Sequence, residues 1–205
     1  TPMILCVDGT AAGLIATTDA LKPHAKESVL NLKNMGLEVV MLTGDNSKTA
    51  QAVARQLGIV RVVSEVLPSG KIEEIERIKK SGHCVAMVGD GINDAPALAA
   101  ADVGIALGSG TDVAMEASDI TLVGSDIKAV VESIELSKAT MSKIRQNLFW
   151  GFIYNIVGIP IAAGVLYPAY GILLQPVFAA VAMSLSSVSV VGNSLLLNRH
   201  SKVDS

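Results

Sequence analysis

Between Gln146 and Asn198 the chain has no Asp, Glu, Lys or Arg, a gap of 53 residues in a sequence of 205. The chain is also poor in cysteine, with two, and in aromatic residues, at 3% of its length. Cys6 and Cys84 lie in separate apolar runs without the C-x-x-C spacing of a metal or redox motif, and are expected to be reduced, buried core thiols of a cytosol-facing domain. No basic run is present, which excludes an electrostatic nucleic-acid footprint. The 145 residues before the gap carry 14 Lys+Arg and 18 Asp+Glu, the composition of an ordinary acidic soluble domain. There is no initiator Met at Thr1 and no signal peptide, so the chain is expected to be a piece of something longer.

About 20 mostly apolar residues are needed for a transmembrane helix. The uncharged stretch supplies two, from about Asn147 to Leu166 and from about Leu174 to Leu197, with "YPAYG" as the turn of a hairpin. Lys138, Lys143 and Arg145 precede the first and Arg199 and Lys202 follow the second, which places both ends in the cytosol. The alternative is a pair of buried helices in a soluble core. Polar groups at membrane depth are costly without a partner or a site. Here Tyr154 and Asn155 fall on the first helix, and Met183 and Ser187, four apart on one face, on the second. A phenol, an amide, a thioether and a hydroxyl, with no carboxylate, suit a soft monovalent ion. Serines that simply pack helix against helix are the other reading.

Before the gap, short β-branched runs alternate with helical stretches. "EVVML" precedes a helix near Lys48 to Leu57 stopped by Gly58, and "VRVVS" precedes one near Lys71 to Lys80 stopped by Ser81 and Gly82. "CVAMV", "VGIAL" and "DITLV" follow at short intervals, and upstream Pro23 opens a helix that Gly36 ends. This order predicts an α/β, doubly wound parallel sheet, whose chemistry belongs at the carboxyl ends of its strands. The polar residues gather there. "MLTGDN" supplies Thr43, Gly44 and Asp45, with a hydroxyl and backbone N–H groups suited to a phosphate oxygen. "EVLPSGK" supplies Lys71 as a cation, and "VGDGIND" supplies Asp90, Asn93 and Asp94, where a carboxylate is the hard ligand that Mg2+ prefers. One such turn alone would read as surface; three in this order read as a site.

"MLTGDN", "LPSGK" and "MVGDGINDAPAL" resemble the second to fourth motifs of the haloacid dehalogenase superfamily, in the form found in P-type ATPases. "DALKP" and the stretch from Val85 to Val123 are similar to the heavy-metal branch, and "YN" with "MSLSSVSVVGNS" is similar to its copper-transporting subgroup. The resemblance implies a phosphorylation domain over residues 1–145, two membrane helices over 146–198 and a cytosolic tail over 199–205. It implies that Asp90 ligates Mg2+, that Thr43, Gly44 and Lys71 hold the phosphoryl group, and that Asn93 and Asp94 complete the pocket, with Asp94 near the Mg2+ shell. Asp45 falls on the nucleotide side. Tyr154, Asn155, Met183 and Ser187 are implied Cu+ ligands. The implied activity is ATP-driven Cu+ export through an aspartyl-phosphate, in a membrane lipid setting, with the other domains of the parent ATPase and a cytosolic copper chaperone as partners.

The D-K-T-G-T nucleophile of that family does not occur in this sequence, nor does its C-P-C pair. One substitute exists. Asp8 in "ILCVDGTAA" follows an apolar run and could be the nucleophile of a membrane-anchored phosphatase, but the position four later is Ala12 and "Asp-Gly" is a strong hairpin turn. The nucleophile is therefore expected upstream of Thr1. A Zn2+ pump is the near rival for the ion, and it would be expected to carry an ionisable residue inside these helices.

Overall fold

Asp8 and Gly9 both adopt positive φ, 50° and 78°, the backbone that a two-residue type I′ hairpin turn requires. In this computed structural model, which describes residues 2–16, 20–90, 92–108, 115–171 and 176–196, they join β1 (Pro2–Val7) to β2 (Thr10–Ala16) as an antiparallel pair. Among the described residues this ladder has no third strand. Ile4, Leu5 and Val7 are accordingly exposed, and so is Cys6. Cys84 is exposed as well, because the strand it was expected to occupy starts two residues later. The expectation of two buried thiols is thus corrected: an apolar run places a cysteine inside only when another layer covers that run.

The rest of the first unit alternates strand and helix. α1 (Ala25–Asn34), β3 (Val40–Leu42), α2 (Ser47–Leu57), β4 (Arg61–Val63) and α3 (Pro68–Lys80) lead to β5 (Ala86–Gly89). A short 3-10 turn (Ile92–Asp94), α4 (Ala95–Ala100), β6 (Val103–Leu107) and β7 (Ile120–Leu122) follow. Local chemistry sets the ends. Asn46 caps α2 by accepting from the Thr49 N–H at 3.0 Å, and Gly58 closes it at φ 75°. Pro68 opens α3 in its first turn, three residues before the expected start.

Among the described residues all pairing after the hairpin is parallel. β3 pairs with β4 in the register Val40 to Arg61, and β6 lies between β5 and β7 with Met87 opposite Gly104 and Ala106 opposite Thr121. Among the described residues no ladder joins β3–β4 to β5–β6–β7, so the expected single sheet is present as two parallel ladders. Side-chain alternation along β3 shows that it is covered on both faces. Met41 packs on Val29, Ala54 and Ile59, from α1, α2 and the residue after its cap. Leu42 packs on Ile75, Met87, Ala97, Leu98 and Ala106, among them residues of α3 and α4. Helices on opposite faces of one strand are the doubly wound arrangement. The core is entirely without aromatic rings, since every Phe, Tyr and Trp lies between Phe149 and Phe178. Ile75 and Leu98, each 1% exposed, contribute about 1.5–3 kcal/mol apiece by burial.

The chain divides into two compact units, Thr1–Val131 and Glu132–Ser205. α5 (Lys128–Ala162) takes in the first expected membrane segment as far as Ala162, four residues short of its expected end at Leu166, with Pro160 in its last turn. "YPAYG" is not a simple turn: Tyr167–Tyr170 forms a single helical turn, α6, ended by Gly171 at φ 67°. α7 (Pro176–Leu195) covers most of the second expected segment, Leu174 to Leu197. Among the described residues no helix is long and apolar enough to cross a membrane. In α5 the apolar stretch is diluted by Gln146, Asn147, Tyr154 and Asn155 and follows a charged first half. The expected tail, 199–205, lies outside the described residues.

Candidate phosphate and metal site

Three loops leave the carboxyl ends of β3, β4 and β5, the edge where parallel sheets place their ligands. The first two are laced together. Thr43 donates its N–H to Val63 and accepts on its carbonyl from Val66, at 3.0 and 3.1 Å, while Glu65 donates to the Asp45 carbonyl at 2.9 Å. Within the first loop the Thr43 hydroxyl donates to Asp45 Oδ2 and accepts from the Asp45 N–H, both at 3.1 Å. Thr43 and Asp45 thus fix each other; among the described residues neither bonds to Asp90, Asn93 or Asp94. Gly44 lies between them with the Val66 carbonyl at ordinary contact distance from where a Cβ would stand.

Lys71 is in the first turn of α3, and its Nζ meets Asp94 Oδ1 at 2.6 Å with both side chains 16% exposed. The orientation of α3 is set one turn later. Glu74, 9% exposed, accepts from Arg61 of β4 at 2.8 Å and from Arg77 at 2.7 Å. The Arg77 guanidinium holds the Glu74 carboxyl below its ordinary range, against the opposing effect of burial and with help from Arg61. A residue three positions from Lys71 lies on a neighbouring part of the helix surface, so this anchor fixes where Lys71 points.

Asp94 reaches Lys71 because Gly89, the last residue of β5, has no side chain. A Cβ there would lie 2.7 Å from Asp94 Cβ. Asn93 is exposed on the same 3-10 turn, and Gly91 lies outside the described residues. Asp90 is an open carboxylate, 58% exposed, and its Oδ2 meets Lys22 Nζ at 2.9 Å. Lys22 was not singled out from sequence, although "DALKP" was. Two residues on, His24, at φ 58°, places Nδ1 2.9 Å from Asp126 Oδ2. Asp126 Oδ1 in turn accepts from the Lys128 N–H at the start of α5, and that bond first, His24 second, holds the Asp126 carboxyl below its ordinary range.

Among the described residues no three His, Cys, Asp or Glu side chains gather as a metal cluster. Mg2+ keeps several waters and takes one or two carboxylates beside substrate phosphates. Asp90, hard and open to water, fits such an ion, with Asp94 on the adjoining turn.

In the second unit Tyr154 is half-buried and Asn155 is exposed, donating to the Gly151 carbonyl of its own helix at 3.2 Å. Ser187 is exposed on α7; the Met183 side chain lies outside the described residues. A polar network absent from the sequence reading links α5 and α7. Lys143 donates to Asn193 Oδ1 at 2.9 Å, Asn193 to Asn147 at 2.8 Å, and Asn147 to Ser194 at 2.9 Å.

Residues 3–102 match the model of the haloacid dehalogenase-like hydrolases. The chain is 54% identical over 196 residues to a copper-transporting ATPase of Rhizobium meliloti strain 1021, covering 96% of this chain and 24% of that protein. It is 56% identical over 197 residues to a silver exporting P-type ATPase of Salmonella typhimurium, again covering 96% and 24%. Among solved structures it is similar to a zinc-transporting PIB-type ATPase in an E2·Pi state, at TM-score 0.82 and 35% identity, covering 95% of this chain and 31% of that one. The chain therefore spans about a quarter of the length of the curated relatives it matches.

Proposed function

The chain carries a haloacid dehalogenase-like hydrolase domain and is a relative of the copper-transporting P-type ATPases, and from that premise we propose that it supplies the Mg2+- and phosphate-binding part, and part of the ion path, of an ATP-driven Cu+ exporter. The observation that carries the phosphate reading is the enclosed Lys71–Asp94 pair, which joins the first turn of α3, after β4, to the turn that follows β5. Lys71 is held by α3 so that its ammonium neutralises a phosphoryl oxygen, and Asp94 keeps that ammonium in place. The Thr43 hydroxyl and the Gly44 N–H take further oxygens, Asn93 contributes its amide, and Asp45 faces the nucleotide. Asp90 holds Mg2+, with Asp94 beside its shell, and the bound ion offsets the phosphate charge that develops in transfer.

The nucleophile in this proposal is an aspartate on a strand outside these 205 residues, lying between β3 and β5. Two features support it: β3 and β5 each have one ladder partner among the described residues, and Leu42 of β3 packs on a cluster that includes Met87 of β5. The rival reading, a membrane-anchored phosphatase with Asp8 as nucleophile, is disfavoured because Asp8 is a turn residue of the β1–β2 hairpin.

For the second unit we propose a membrane hairpin with Tyr154, Asn155, Met183 and Ser187 as Cu+ ligands, both chain ends cytosolic, and a cytosolic copper chaperone as donor. The support is the 53-residue span without charge and the outward apolar side chains Phe152, Ile156, Ile159, Leu185, Val188 and Val191, an exposed surface of the kind that marks a membrane or protein contact. The absence of Asp, Glu, Lys and Arg from that span favours a monovalent ion over Zn2+. In the full-length protein, Asp90→Asn is expected to abolish phosphorylation by ATP, and Met183→Ala to weaken Cu+ binding. Unchanged phosphoenzyme in the first, or unchanged affinity in the second, overturns the corresponding role.

A further inference from the structure

The two carboxylates that follow β5 each hold a lysine, in unlike surroundings. Lys71–Asp94 is enclosed, with both partners 16% exposed, whereas Lys22–Asp90 is open, at 45% and 58%. An enclosed pair is costly to separate, because each charge is left without its partner or full hydration. An open pair is weak, since water solvates both ends as they part. We propose that Lys22 is a built-in counter-ion for Asp90, occupying the carboxylate until a divalent cation displaces it. The inference rests on the reading of Asp90 as the metal ligand.

Lys22 is directed at Asp90 rather than merely near it. Pro23 fixes the following φ, and the Lys22 carbonyl accepts from the Ala25 N–H at 3.2 Å. His24 then takes an αL backbone, its carbonyl accepts from Ser28 at 2.8 Å, and its ring is bonded to Asp126. α1 itself is buried through Ala25, Ser28 and Val29. The Lys22 backbone is therefore held from the helix that follows it and, through His24, from the segment that opens α5. A side chain on so fixed a stem loses less freedom on pairing than a lysine in a loose loop. Displacement leaves the ammonium beside the metal, adjacent to where phosphate charge arrives, so the cation is moved rather than removed.

The test is Mn2+ binding to the full chain followed by electron paramagnetic resonance, without nucleotide or phosphate. Lys22→Met is expected to tighten Mn2+ binding about two- to five-fold, the coupling typical of an exposed pair. Lys22→Arg keeps the pair and is expected to bind as the parent does. Lys26→Met, which removes an exposed charge on α1 that makes no pair with Asp90, is expected to change nothing. Unchanged or weaker binding in Lys22→Met overturns the proposal, as does equal tightening in Lys26→Met, which would reduce the effect to general charge. Asp90→Asn separates the two layers: if it retains Mn2+ binding, the metal role of Asp90 fails and the counter-ion role with it. If it loses binding while Lys22→Met is unchanged, only the counter-ion role fails.

Discussion

Gly89 and Asp94 approach so closely that a Cβ on the glycine would sit 2.7 Å from the Asp94 Cβ and 3.1 Å from its carboxyl carbon. The missing methyl group is thus what lets the 3-10 turn fold over the end of β5 and present Asp94 to Lys71. Gly89→Ala must push that turn away. It is expected to destabilise the first unit by about 1–3 kcal/mol through overpacking and to weaken phosphate binding at the same site. Urea unfolding combined with inorganic phosphate titration checks both; a neutral Gly89→Ala would mean that the turn relaxes freely.

Glu74 predicts a pH dependence of stability. Its folded pKa lies below the ordinary value of 4.5, so its contribution is fully present above about pH 4.5 and is lost as the pH falls through the lowered native value. Glu74→Gln is expected to cost about 1–3 kcal/mol at pH 7, where it strips a largely buried carboxylate from Arg61 and Arg77. It should also flatten the loss of stability as the pH falls below about 4.5. Denaturant midpoints across that range decide it, and parallel curves for parent and variant would assign the acid sensitivity to other groups.

Asn193 is the hub of the network on α7, donating to Asn147 and accepting from Lys143. Asn193→Ala is expected to loosen the α5–α7 pair by about 0.5–1.5 kcal/mol, the net worth of a typical intramolecular hydrogen bond. Denaturant unfolding reads the change. Asn147→Ala should cost less when added to Asn193→Ala than alone, because the two share one bond; strict additivity would count against a single network.

Asp8→Asn offers a check on the hairpin. Asn-Gly serves a type I′ turn as well as Asp-Gly does, so the substitution is expected to leave both stability and phosphoenzyme formation in the full-length protein unchanged. Loss of phosphoenzyme would make Asp8 a nucleophile and overturn the turn reading.

Features written in neighbouring residues were legible from sequence. The Asp8–Gly9 turn, the Asn46 cap, the Gly58 stop and the strand-end positions of Thr43 and Asp90 all depend on backbone preferences within a few residues. Lys71 was recognised as a cation at a helix start, and its partner Asp94 as an acid, but their contact joins two loops and was not readable as a pair. Lys22 and Asp90 are 68 residues apart, and Asn193 and Asn147 are 46 apart. No local pattern announces such pairs. The cysteines misled for a related reason: an apolar run reports the character of a segment, whereas burial depends on what else covers it. In the "YPAYG" segment, proline and glycine were read as turn markers when they open and close a single helical turn.

β3 is three residues long, and two of them belong to different cores, Met41 on the side of α1 and α2 and Leu42 on the side of α3 and α4. Slipping the strand by one residue would exchange these cores and move Thr43 from its place beside Val63 at the same stroke. Packing and chemistry here are one constraint. Substitutions that preserve size can accumulate in either core, but insertions and deletions between Val39 and Asp45 have no silent outcome, so the spacing of this motif is protected by the hydrophobic interior as well as by its ligand.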